Sequence, residues 1–142
     1  MKKLMLPFLS ERYIGFTIPQ SGSFYVCDHD EVWRISIGSD DPAVQVTDIQ
    51  PYVFVEDRVD FLGLVFEGLP ENKPLLRVGR NEIAYDFDPK EEFVGIRYVV
   101  AGQAGEIEFP ILSGAWFVAS LSDDGRHLVL AEPNGIAPYA VF

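Results

Sequence analysis

The chain has 142 residues, 48% hydrophobic and 23% charged, which is about one domain's length with enough apolar material for a sizeable core. A formal net charge of −11 repels nucleic-acid backbones and anionic lipid, so neither is expected as a partner, whereas a basic protein or a cation is attracted. The single cysteine excludes an internal disulfide framework and fits a reducing compartment, so a cytoplasmic location is expected.

The first residues, Met1-Lys2-Lys3-Leu4-Met5-Leu6, open like a secretory leader. The apolar run is short, Glu11 and Arg12 follow at once, and no small-residue cleavage site appears, so cleavage is not expected. The longest uncharged run, 109–122, is interrupted by Pro110 and Gly114 and falls short of the ~18 apolar residues of a membrane helix.

Tyr25-Val26-Cys27-Asp28-His29-Asp30-Glu31-Val32-Trp33 gathers the only cysteine, one of two histidines and three acids. A hairpin centred on His29-Asp30 pairs Cys27 with Val32, Val26 with Trp33 and Phe24 with Ile35. Asp28 and Glu31 would then face each other at the rim of the core, where like charges repel. A four-residue loop, Asp28 to Glu31, keeps that register and releases both acids to water. The competing reading is a cation held by Asp28, Asp30, Glu31 and His29. The loop lacks the glycine and distal glutamate of the calcium pattern, and zinc would need more nitrogen or sulfur ligands than Cys27, His29 and His127 provide. The expectation is a hairpin tip with no metal, leaving open whether the loop takes up a cation.

Further along, Arg58 to Phe66 fits both helical and strand periods. Gly63 in its middle disfavours helix by about 1 kcal/mol, so a strand is expected. Glu82-Ile83-Ala84-Tyr85-Asp86-Phe87-Asp88 alternates strictly, with Ile83, Tyr85 and Phe87 on one face and acids on the other. Asp88-Pro89-Lys90-Glu91 has the start signals of a helix, but Gly95 and Val99-Val100 limit it to one turn. Gly105-Glu106-Ile107-Glu108-Phe109 alternates again. The pairs Asp86/Asp88 and Glu106/Glu108 could be read as acid–base or glycoside-hydrolysis carboxylates. Such chemistry needs two acids set across a cleft, one of them in an apolar pocket, and alternation on an outer strand face yields the same letters.

The segment from Ser120 to Leu130 is the clearest hairpin, with Asp123-Asp124-Gly125 as a three-residue loop and Gly125 in the left-handed region. That loop pairs Leu121 with His127, Ala119 with Val129 and Phe117 with Ala131. Both faces come out apolar, so something must cover the second: another layer of the chain, or another molecule. Phe117, Ala119, Leu121, Val129 and Ala131 are therefore the candidate interface residues, with Tyr139-Ala140-Val141-Phe142 as a candidate edge strand. His127 reads as a structural histidine at the loop end of an apolar face. The Ser-Asp-Asp-Gly-Arg turn followed by His127-Leu128-Val129-Leu130-Ala131 also resembles a β-propeller blade hairpin. A propeller needs at least four blades of ~40 residues; no repeat of that period occurs, and the likeness implies no function.

Turn signals at 40–42, 70–74, 79–81, 102–105, 123–125 and 133–135, with eleven Phe, six Tyr and two Trp, predict about ten strands in a single β domain spanning 1–142. The expected fold is an all-β antiparallel two-layer sandwich or flattened barrel with at most one helical turn. No phosphate-binding loop, nucleophile elbow or paired-histidine zinc motif is present, so no catalytic residue and no cofactor are assigned. The function expected is that of a non-enzymatic acidic module binding another protein, such as an inhibitor- or immunity-type partner of a basic protein. Two alternatives stand beside it: a homo-oligomeric assembly subunit, and a small-ligand-binding sandwich or carboxylate hydrolase with Trp33, Trp116, Tyr85 or Tyr98 as aromatic walls.

Overall fold

The computed structural model describes residues 1–38, 40–52, 66–67 and 74–141. Among them thirteen strands form: β1 (Lys2–Lys3), β2 (Tyr13–Thr17), β3 (Ser23–Asp28), β4 (Val32–Ser36), β5 (Ala43–Val46), β6 (Phe66–Glu67), β7 (Arg77–Val78), β8 (Asn81–Ala84), β9 (Phe93–Val100), β10 (Gln103–Pro110), β11 (Val118–Leu121), β12 (His127–Glu132) and β13 (Gly135–Ala140). They pair antiparallel in three sheets, ordered β1-β13-β12-β11, β10-β9-β8-β7 and β5-β4-β3-β2-β6. The all-β sandwich expected from alternation is therefore present. It has more strands than ten because β1, β6 and β7 are two-residue bridges.

The β1-β13-β12-β11 sheet lies in the middle. One of its faces places Ala119, Leu121, Leu128 and Leu130 against Ile83, Val94, Ile96 and Phe109 of the β7–β10 sheet. Its other face places Val129, Ala131 and Ala140 against Phe16, Phe24, Val26, Trp33 and Ile35 of the β2–β6 sheet. A strand buried on both sides has no reason to alternate, and β12, His127-Leu128-Val129-Leu130-Ala131-Glu132, does not. Each fully buried Leu, Ile or Phe contributes about 1.5–3 kcal/mol of apolar burial. The cover for the second face of the 120–130 hairpin is thus a third sheet of the same chain.

The β11–β12 register differs by one residue from the expected one. Val118 pairs with Ala131, Ala119 with Leu130, Ser120 with Val129 and Leu121 with Leu128. The reason is the loop. Ser122 N–H donates to the His127 carbonyl at 2.9 Å, and Ser122 Oγ accepts the His127 N–H at 3.0 Å. Asp124 Oδ1 accepts from Ser122 Oγ at 2.7 Å and from the Arg126 N–H at 3.0 Å. These bonds close a four-residue loop, Asp123 to Arg126, in place of a three-residue one, and a one-residue slip moves β12's side chains to opposite faces relative to β11. Gly125 does take the left-handed conformation, with φ 73°.

Elsewhere the hairpin of β3 and β4 has the expected register, Cys27 with Val32, Val26 with Trp33 and Phe24 with Ile35. The segment at Asp88 makes a single turn, with Asp88 Oδ1 accepting the Lys90 N–H and its carbonyl accepting the Glu91 N–H. Tyr139 and Ala140 do not form an edge: they belong to β13, which is flanked by β1 and β12. Backbone pairing with Lys2 and Lys3 on one side and with β12 on the other holds β13 there. The strand expected over Arg58 to Phe66 lies outside the described residues except at Phe66, whose backbone is in β6. Residues 70–73 of the expected 70–74 turn lie outside them too.

Candidate functional site

At the β3–β4 tip Asp28 is held by protein donors. Its Oδ1 accepts the N–H groups of Asp30 and Glu31, both at 2.8 Å, and its Oδ2 accepts the Ser10 hydroxyl at 2.7 Å. Burial raises the carboxyl's pKa, but the Ser10, Asp30 and Glu31 bonds and nearby His29 outweigh it, so the net shift is downward. Asp28 is therefore not released to water as expected; it is half-buried and caps its own loop, while Glu31 is exposed. Ser10, which anchors it, gave no signal in sequence because the contact spans eighteen positions. Cys27 is fully buried with Ile14 and Val32, and desolvation, followed by the Asp28 charge, pushes its thiol up to about 12. It remains a neutral thiol and supplies no nucleophile at neutral pH.

His29 lines an open cleft of about 320 Å3 with Phe8, Ser10, Glu11, Arg12, Asp28 and Asp30. A second hollow of about 300 Å3 adjoins it through Arg12 and His29, and includes Trp116. His127 is remote from both clefts. It is buried, and its Nε2 lies 2.9 Å from the Gly38 carbonyl, which fixes that nitrogen as the N–H donor and ties β12 to the loop after β4. The two imidazoles do not line a common cleft among the described residues. No group of three or more His, Cys, Asp or Glu among the described residues is placed to hold a metal ion.

The five candidate interface residues are inside the molecule. Phe117, Ala119 and Leu121 belong to the core under the β7–β10 sheet, and Val129 and Ala131 to the core under the β2–β6 sheet. They form neither a shared face nor a surface, because the register slip separates them and each core closes over its part. The aromatic-wall candidates are also mostly structural. Trp33 is in the core, and Tyr85 stacks edge-on to Phe117 at 5.1 Å while its hydroxyl accepts the Ala119 N–H at 3.1 Å.

What remains outward is the face of the β9–β10 hairpin. Its two-residue turn, Ala101-Gly102, has positive φ at both positions, 50° and 75°, matching the twist of the strands. The resulting register sets Phe93 against Pro110, Gly95 against Glu108 and Arg97 against Glu106. Val94, Ile96 and Phe109 point inward. Outward lies an open groove of about 550 Å3 lined by Lys90, Glu91, Glu92, Phe93, Gly95, Glu106 and Glu108. Gly95 opens room in it: a side-chain carbon there would stand 2.5 Å from Glu106 Oε1, so only glycine lets that carboxylate lie across β9. Arg97 faces Asp86, at 3.9 Å, rather than neutralising the groove. Phe93 is 50% exposed beside the acids. Glu106 and Glu108 were legible as an outward pair; their union with Glu91, Glu92 and Phe93 depends on the turn falling at Ala101-Gly102, ahead of the expected 102–105.

The chain matches no protein-family model, no curated protein and no solved structure. Among the described residues no helix is long and apolar enough to cross a membrane.

Proposed function

We propose that this protein is a non-enzymatic acidic module that binds a basic partner protein through the outer face of β9 and β10. The observation carrying this reading is the groove in which Glu91, Glu92, Glu106 and Glu108 surround the exposed ring of Phe93, with Lys90 the one cation lining it among the described residues. An aromatic anchor ringed by carboxylates suits a partner presenting Lys or Arg around an apolar contact. The apolar surfaces that would otherwise have suggested self-association are used up in the two cores.

The test is association with a small basic protein such as lysozyme, followed by stopped-flow at rising salt. A stoichiometric complex whose on-rate falls steeply with ionic strength is expected. Glutamine at 91, 92, 106 and 108 together should weaken it at least tenfold. Neutralising the same number of exposed acids elsewhere (Asp30, Glu31, Asp40 and Asp123) should have much less effect. Equal losses in the two variants, or salt-independent association, would overturn the reading.

A further inference from the structure

We infer that the partner is taken up as an added strand: an extended segment with Lys or Arg at alternate positions pairs with the outer edge of β10. The inference rests on the acidic-face reading and specifies how that face is used. β10 is an end strand of its sheet and, at eight residues, the longest edge strand among those described. Ile111 N–H donates to the Glu92 carbonyl at 2.7 Å, which fixes the phase of the β9–β10 ladder. In an antiparallel pair inward-bonded residues alternate, so Gln103, Gly105, Ile107 and Phe109 bond to β9. The N–H and C=O groups of Ala104, Glu106 and Glu108 therefore point away from β9 along an outer edge that pairs with no other strand among the described residues. Pro110, which has no N–H, ends the row.

The same two glutamates supply both the edge and the charge. Their side chains lie on the outer face, two residues apart, which is the spacing at which an added strand presents alternate side chains. Neither carboxylate has a hydrogen bond or ion pair with a described residue. A second copy of the chain is a poor occupant. Antiparallel β10–β10 pairing would set Glu106 and Glu108 of the two copies on one face with Cβ atoms about 4.5–8 Å apart, and like charges across strands are destabilising. This is the arrangement by which edge strands are kept from self-pairing. A basic strand converts the same repulsion into attraction.

The experiment uses the whole protein and three synthetic peptides: one alternating Lys and Val, its analogue N-methylated on the amides of one edge, and one alternating Glu and Val. Affinity is measured by titration, and amide exchange is read by NMR. The alternating Lys peptide should bind, should slow exchange at the Ala104, Glu106 and Glu108 amides at least tenfold, and should bind at least tenfold tighter than its N-methylated analogue. Equal binding of the two Lys peptides, with salt sensitivity and loss in Glu106→Gln/Glu108→Gln, would overturn strand addition and leave the acidic face standing. Binding of neither Lys peptide better than the Glu peptide would overturn both. Concentration-dependent dimerisation without peptide, protecting the same three amides, would also overturn the inference in favour of self-pairing.

Discussion

The β11–β12 and β9–β10 hairpins have similar chemistry of pairing and opposite environments. In β11–β12 both faces are covered, and even the outer edge of β11 is closed: Leu121 N–H donates to the Leu75 carbonyl and Ala119 N–H to the Tyr85 hydroxyl. In β9–β10 one face is covered, the other carries Glu106 and Glu108, and the outer edge of β10 pairs with no other strand among the described residues. Burial on both sides leaves a strand nothing to do but pack. Burial on one side leaves a strand a face and an edge with which to recognise something else. The difference locates the core in the middle sheet and the candidate interface in the outer one.

The comparison predicts its largest contrast for side-chain truncation. Leu130→Ala, fully buried in β12, should cost about 2–5 kcal/mol, because the cavity is enclosed by two layers that cannot both collapse. Glu108→Gln, on the outer face, should change stability by less than about 0.5 kcal/mol. Urea denaturation of both variants checks this. If Leu130→Ala cost under about 1 kcal/mol, the middle sheet would not be the closed layer described.

Much of this contrast could be read from the residues themselves. Glu-Ile-Glu in β10 states a half-wet strand, and Leu-Val-Leu-Ala in β12 states a covered one, since side-chain direction follows from period two. The cover itself could not be read. Which chain segment lies over Val129 and Ala131 depends on contacts with Phe16, Phe24 and Ile35, a hundred positions away, and pairing between distant strands leaves no local pattern. Turn geometry set the other limit. Ser122 Oγ binding the His127 N–H lengthened one loop by a residue, and Ala101 entering the left-handed region advanced another turn. The first was enough to scatter five apolar residues from a supposed interface into two cores, and the second joined Glu106 and Glu108 to Phe93.

A smaller effect depends on pH. Glu132, at the end of β12, is 1% exposed; Oε1 accepts the Asn134 N–H at 3.1 Å, and Oε2 meets no donor in hydrogen-bonding geometry among the described residues, although the N–H groups of Ser113 and Leu112 lie near the carboxylate. Desolvation raises its pKa above the usual 4.5, against the pull of the backbone N–H groups of Asn134, Ser113 and Leu112. Below the unfolded value both states hold the proton and nothing is lost. As pH rises through the interval up to the raised folded value, the unfolded chain gives up its proton first, so stability falls and stays lower above it. Glu132→Gln cannot ionise and should escape that fall. Its advantage over wild type in urea midpoint should grow from pH 4 toward neutrality. A constant offset for Glu132→Gln across that range would mean that its carboxylate ionises in the fold as easily as in the unfolded chain.

The smallest effect expected concerns what sets the two registers. The inner hairpin is held by packing on both faces, so its loop need only follow. The outer one has packing on a single face and depends more on its turn, where Ala101 takes φ 50° at a position that costs an L-residue with a bare methyl roughly 1 kcal/mol. Asparagine tolerates that region and, before Gly102, makes the Asn-Gly pair favoured in two-residue turns. The Ala101 N–H bond to Asn81 Oδ1, 3.0 Å, uses only backbone on the 101 side and survives the change. Ala101→Asn should therefore stabilise the protein by a few tenths to about 1 kcal/mol, with amide exchange slowed in β9 and β10 more than in β11 and β12. Slowing confined to β11 and β12, or a loss of stability, would mean that the outer hairpin takes its register from the sheet beneath it and not from its turn.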